Sequence, residues 1–202
     1  MAFKGEKDFL KGLKGNANQK KAIEALFQDP DFKKIWDYLK NCKKIFELKI
    51  KPGLTTRNKE RFGGYVDGDP GELYMNPTKP EHKQNPMELA DTLLHESMHA
   101  VFDSMEVCGP KGYPLPKGAI ELQKDTKITG WKSRSKAWAS PLDQDYLKKH
   151  YGDSPSNPEE EYIDINDVAQ RFIIKIIKRL IKKTKVGKKT TTFIIEEKRK
   201  GK

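Results

Sequence analysis

Cysteine, aromatic side chains and long apolar runs are all scarce in this chain. Its two cysteines, Cys42 and Cys108, stand 66 residues apart with no CxxC pair. That excludes a cysteine zinc site and a dense disulfide framework, and leaves two buried free thiols as the expectation. Aromatics make up 9% and apolar residues 35% of 202 residues, while charged residues reach 34%: enough apolar material for a core, under an unusually polar surface. The strongly apolar stretches, Ile173 to Ile181 among them, are broken by lysines and fall well short of the roughly 20 residues of a membrane span. Met1 to Leu10 mixes Lys, Glu and Asp with no apolar core, so no secretory signal peptide is read there. A soluble protein is expected, cytoplasmic before any export, with export requiring a specialised machine.

Acidic residues are nearly missing from one end. From Arg171 to Lys202 there are 13 Lys or Arg against Glu196 and Glu197, a net +11, whereas residues 1–170 hold 27 bases and 27 acids. The whole formal charge of +11 therefore sits in the last 32 residues. A balanced body with a basic end argues against a domain-wide nucleic-acid surface, and for an appendage that attracts phosphates, acidic glycans or acidic proteins. A solubilising tail without a specific ligand is the plain alternative. The expected organisation is one domain over residues 1–181 and a basic tail over 182–202.

Hydrophobic spacing over residues 6–41 predicts helix, divided in two at Asp29-Pro30, because a residue before proline avoids the helical region. The period then changes. Ile45, Phe46, Leu48 and Ile50 alternate with charged residues, and Gly64-Tyr65-Val66 leads through Asp67-Gly68-Asp69-Pro70-Gly71 into Glu72-Leu73-Tyr74-Met75, which predicts a small sheet containing a hairpin. Asn85-Pro86-Met87-Glu88 carries the marks of a helix start: capping asparagine, proline at the first helical position, glutamate three residues after the cap. That helix should run to about Met105, and its apolar residues cover most of the circumference, so it should be buried. Thr92, His95, Glu96, His99 and Asp103 form its one polar stripe, and polar groups on a core helix demand partners. From Cys108 to Ser156 a long loop region is expected. Ser156-Asn157-Pro158-Glu159 starts another helix, with an apolar stripe from Tyr162 to Ile176, and Thr190 to Ile195 reads as a short strand.

His95-Glu96-Ser97-Met98-His99 is an HExxH motif. On a helix its histidines share a face and can bind one Zn2+, and the glutamate between them is placed as general base toward a water. That is the chemistry of amide hydrolysis. The competing assignment makes His95 and His99 core histidines bonded to backbone or to Asp103. His82 and His150 stand isolated and read as structural or surface residues.

A catalytic zinc has three protein ligands. The metzincin pattern would require glycine at Phe102 and histidine at Met105, so the third ligand must come from elsewhere. On the helical wheel Glu161 lies within about 60° of the centre of the Tyr162 to Ile176 stripe, Glu160 points nearly opposite, and Asp164 lies about 120° away. Glu161 is therefore favoured, with Glu160, Asp164 and Asp103 left open. Asp103, one turn after His99, reads better as a carboxylate that orients a histidine. Tyr113, Tyr146, Tyr151 and His150 are candidates to stabilise a developing oxyanion.

Five segments together resemble bacterial effector and toxin zincins. They are Asp29-Pro30-Asp31-Phe32 with Trp36 and Leu39, Ile45 to Ile50, Tyr65 to Asn76, Leu93 to Ala100 around the HExxH motif, and Pro158-Glu159-Glu160-Glu161. These zincins include the metallopeptidase domains at the ends of type VI secretion spike proteins and Rhs-type polymorphic toxins, and a type III effector peptidase family. The resemblance implies a gluzincin-like site: His95 and His99 as ligands, Glu96 as general base, a downstream glutamate as third ligand. Asp164 stands where such families often carry alanine. The resemblance also implies an edge strand that pairs with extended substrate, and Leu73, Tyr74 and Met75 are placed to form it.

The expectation is thus an α+β zincin-like metallopeptidase with a small mixed sheet and a buried HExxH helix, delivered as a toxin or effector. Its substrate would be a protein or a cell-wall peptide, and an immunity protein or secretion machinery would be its partners. The rivals are a DNA-associated zinc protease using the basic tail, and a non-catalytic module with a closed structural zinc site.

Overall fold

The computed structural model describes residues 5–13, 16–42, 46–56, 59–66, 70–109, 111–116 and 167–186. The chain forms two compact units, Met1–Pro114 with Ile173–Lys202, and Leu115–Phe172. In the second, residues 167–172 are helical and Ala169 is buried. The packing below belongs to the first unit.

Its helices begin where local chemistry allows. The long helical stretch breaks twice, giving α1 (Glu6–Gly12), α2 (Ala17–Phe27) and α3 (Pro30–Asn41). The second break is the expected one. The first was not expected; there the Asn16 side chain accepts from the Gln19 N–H at 3.0 Å and restarts the helix. Asp29 caps α3 by accepting from the N–H groups of Asp31 and Phe32, and Pro30 occupies the first turn.

Strands β1 (Phe46–Ile50), β4 (Gly63–Val66) and β5 (Gly71–Met75) make a three-stranded mixed sheet, with β2 (Thr55–Thr56) and β3 (Lys59–Glu60) as a separate two-stranded ribbon. β4 and β5 are the predicted hairpin, antiparallel with Gly63 opposite Met75, and β1 runs parallel to β5 with Phe46 opposite Gly71. The order β1-β5-β4 makes β5 the middle strand. This corrects the expectation for Leu73, Tyr74 and Met75: both backbone edges of β5 are already paired, so it has none to offer a substrate. Leu73 and Met75 are fully buried, and Tyr74 lies on the opposite face under the Lys51 ammonium, 4.6 Å from the ring centre. On that outer face Glu72 bonds Lys49 and, at 2.7 Å, Lys51. The hydrogen bond from Lys49, then that from Lys51, holds the Glu72 carboxyl below its ordinary value.

A short helix and a long one follow. Helix α4 (Pro80–Gln84) is set off by a proline in its first turn, and α5 (Pro86–Cys108) is the HExxH helix. As predicted, the Met87 N–H donates to Asn85 Oδ1 at 3.1 Å and the Asn85 amide reaches Glu88. Helices α2, α3 and α4 pack against α5, as do β4 and β5. Leu89, Ala90, Leu93, Leu94, Met98, Val101 and Phe102 are at most 1% exposed, so this helix is covered almost all round, as its sequence required.

Two features bear on the sequence reading. Cys42, the C-cap of α3, and Cys108, the last residue of α5, form a disulfide with Cα atoms 5.1 Å apart. They are not free thiols: the packing of α3 on α5 brings two helix ends together that are remote in sequence. The second feature is α6 (Asp167–Thr184), which continues past the expected boundary at 181. Its Ile173, Ile176, Ile177 and Leu180 are buried. Arg179 grips the α3 cap, with Nε to Asp29 Oδ2 at 2.7 Å, Nη2 to Asp29 Oδ1 at 2.6 Å, and Nη2 to Asp31 Oδ2 at 2.9 Å. Part of the basic excess is thus an element of the fold.

Candidate functional site

The HExxH motif occupies the middle of α5, where the 3.6-residue period places residues four apart on one face. His95 and His99 turn their rings toward each other, centroids 4.9 Å apart and planes at 65°, with Nε2 to Nε2 at 3.2 Å. Two imidazole nitrogens this close must share either a proton or a cation. For a tetrahedral zinc with Zn–N bonds near 2.0–2.1 Å, two ligand nitrogens fall about 3.3 Å apart, so the observed convergence fits a shared metal. His99 is buried, while His95 and Glu96 are half-buried.

The helix around the pair is rigidly held. The Ser97 hydroxyl donates to the Leu93 carbonyl at 2.6 Å and the Ser104 hydroxyl to the Ala100 carbonyl, which satisfies polar groups inside the core. Thr92, one turn before Glu96, is tied to His82. That histidine is fully buried, with Nδ1 2.7 Å from the Asn76 carbonyl and Nε2 3.0 Å from Thr92 Oγ1. A carbonyl only accepts, so Nδ1 carries the proton and Nε2 of the neutral ring accepts from the Thr92 hydroxyl. Burial depresses the His82 pKa below its ordinary value, and the neutral ring is the form both bonds require. The expected structural role for His82 is the one observed. Its bond to the HExxH helix was not readable, because nothing in the sequence joins residue 82 to residue 92.

The network continues outward. The Asn76 side chain accepts from the Gly53 and Thr78 N–H groups and donates to the Arg61 carbonyl, and the Gln19 amide donates to the Pro77 and His82 carbonyls, each at 2.9 Å. Gln19 is itself buried, so α2 holds the turn that presents His82 to α5.

Beside the motif runs β4. A Cβ on Gly63 would stand 2.8 Å from the Tyr74 carbonyl oxygen and 2.9 Å from Thr92 Cγ2; glycine is required for the strand to come this close to α5. β4 pairs with β5 on one side, and among the described residues its other side belongs to no sheet. Among the described residues the outermost strand of the sheet next to the HExxH helix is therefore β4, one strand removed from the expected β5. The signal for it was the pair Gly63-Gly64.

The other predicted site residues divide by position. Glu161, Glu160 and Asp164 lie outside the described residues, as do Tyr146, His150 and Tyr151. Asp103 is part of α5, one turn after His99, with its side chain outside the described residues. Tyr113 packs edge-on against Tyr38 at 5.7 Å, and the Tyr38 hydroxyl donates to the Gly109 carbonyl at 2.7 Å, so Tyr113 sits beyond the C-terminal end of α5. Among the described residues no group of three metal-binding side chains occurs. No protein-family model, no curated protein and no solved structure matches this chain.

Proposed function

We propose that this protein is a zinc metallopeptidase of the zincin kind. The observation that carries this reading is the convergence of His95 and His99 Nε2 to 3.2 Å on a buried helix with Glu96 between them. His95 and His99 would hold the ion, with Glu161 as the favoured third ligand and Glu160, Asp164 and Asp103 as alternatives. Zinc would supply Lewis-acid polarisation of the scissile carbonyl and a lowered pKa for a water. The remaining work falls to the chain's own groups. The Glu96 carboxylate accepts a proton from the water as its oxygen bonds to the carbonyl carbon. It then returns that proton to the amide nitrogen as the C–N bond breaks, giving one carboxylic acid and one amine. Strand β4, Gly63–Val66, lies beside the HExxH helix and is the strand we assign to pairing with an extended peptide. The His82–Thr92 bond ties α4 to the helix one turn before Glu96.

The substrate class is a protein or the peptide part of a cell wall, and the reading includes delivery as a toxin or effector. The Cys42–Cys108 disulfide supports a working compartment that is oxidising. Among the described residues no helix is long and apolar enough to cross a membrane.

The test has two parts. Elemental analysis should find about one zinc per chain in the wild type, lost in His99→Ala and in Glu161→Ala. Glu96→Gln should keep zinc and fold while hydrolysis of an unfolded protein substrate disappears. Wild type without bound metal, and with no gain on adding zinc, would remove the reading.

A further inference from the structure

We propose that the solvent face of α6 is a docking surface for the phosphate backbone of a nucleic acid. Two kinds of base occupy this helix. Arg179 is spent on the fold, chelating Asp29 and Asp31, and Lys175 leans on Asp31 at 3.2 Å. Lys178, Lys182 and Lys185 are different. All three are exposed, and among the described residues none forms an ion pair. Lys175, Lys178 and Lys182 recur at three and four residues along α6 and share one row about 10 Å long, and Lys185 follows just past the helix end, where its φ of 59° turns the chain. Lys183 stands beside the row, held by Gln28 at 2.6 Å.

The geometry of α6 selects the partner. Its apolar face is taken: Ile173, Ile176, Ile177 and Leu180 are at most 6% exposed. A basic amphipathic helix binds a lipid surface by inserting that face, so α6 has nothing to insert. What it presents is an outward row of cations on a rigid rod, fixed by the Arg179 clamp. A linear polyanion with regularly spaced charges complements such a row without unfolding anything, and phosphodiester backbones are of that form. Residues 1–170 carry no net charge, so the positive excess of the chain lies in and after α6. This surface does not depend on the peptidase reading.

The experiment is a salt titration of binding between the full chain and a mixed-sequence DNA duplex, its single strand, and phosphatidylglycerol vesicles. Three lysine–phosphate contacts predict a slope of log K against log salt of about −2 to −3. Lys178→Gln/Lys182→Gln/Lys185→Gln should leave the thermal transition where it is. It should reduce the slope by about 2 to 3 and weaken binding by about 100-fold or more at 0.1 M salt. Glu96→Gln should bind DNA as the wild type does. The proposal is overturned if the triple variant binds like wild type. It is also overturned if neutralising Lys188, Lys189, Lys198, Arg199, Lys200 and Lys202 removes all binding while the triple variant loses none, or if only vesicles are bound.

Discussion

Reduction of the Cys42–Cys108 disulfide should cost this protein more stability than any other single change away from the core. The bridge closes a loop with a sequence separation of 66, which holds the whole sheet, α4 and the HExxH helix. The chain-entropy model for a loop of that size gives about 4.3 kcal/mol of destabilisation on opening. For a chain of this length that corresponds to a fall in Tm of roughly 10–15 °C. The assay is a thermal melt by circular dichroism with and without a phosphine reductant, beside the Cys42→Ala/Cys108→Ala variant. Alanine is the right replacement because Cys42 is 8% exposed and a hydroxyl there would need a partner. The variant should melt where the reduced wild type melts and be indifferent to reductant. Zinc content should survive, since Cys108 lies nine residues and about 13 Å along the axis from His99. Native alkylation of both thiols in protein kept under air would refute the reasoning, and so would an unchanged Tm on reduction of a bridge that mass spectrometry shows to be present.

Three further outcomes follow from the packing. His82 is neutral in the fold with a pKa below its ordinary 6.5, so the unfolded chain binds its proton first. Stability should be complete above about pH 6.5 and decline as the pH drops through the window below it; His82→Gln should flatten that decline in urea melts taken as a function of pH. Arg179→Ala should cost about 2 kcal/mol, less than a fully buried pair because the Arg179 side chain is 33% exposed. Burial alone would raise the Asp31 carboxyl, but hydrogen bonds from Arg179 and then Lys175 outweigh it and hold it below 3.8, so the stability it adds should disappear as the pH falls below that value; an acid limb in Arg179→Ala as steep as that of the wild type would contradict this. Gly63→Ala should cost about 1–3 kcal/mol through overpacking against Thr92 and the Tyr74 carbonyl, and it should lower peptidase activity more than zinc content, which a parallel metal and activity assay resolves.

Much of the architecture was legible because it rests on local rules. The break at Asp29-Pro30, the Asn85 cap, the β4–β5 hairpin and the buried character of α5 each follow from residues within one or two turns of each other. The choice of substrate edge was not legible, because a strand's sequence does not say how many neighbours it has. Leu73, Tyr74 and Met75 looked suitable, yet the parallel partner β1 joins from 25 residues upstream in the register Phe46 to Gly71 and closes the second side of β5. The first helical break was missed for a smaller reason: Asn16 is a cap only once the chain has turned there.

Local sequence accounts for the meeting of His95 and His99. Spacing of four on a helix is enough to bring His95 and His99 together, and covalent geometry then leaves little freedom for their rings. It also determined where the charge lies. Only the tertiary structure decided which bases remain available, since Arg179 is consumed by the cap of α3 and Lys178, Lys182 and Lys185 are not. It alone joined Cys42 to Cys108, set His82 against Thr92 and, among the described residues, made β4 the outermost strand. Each of these is a contact between segments distant along the chain, fixed by the burial of apolar faces that many partners satisfy equally well until the whole core has packed.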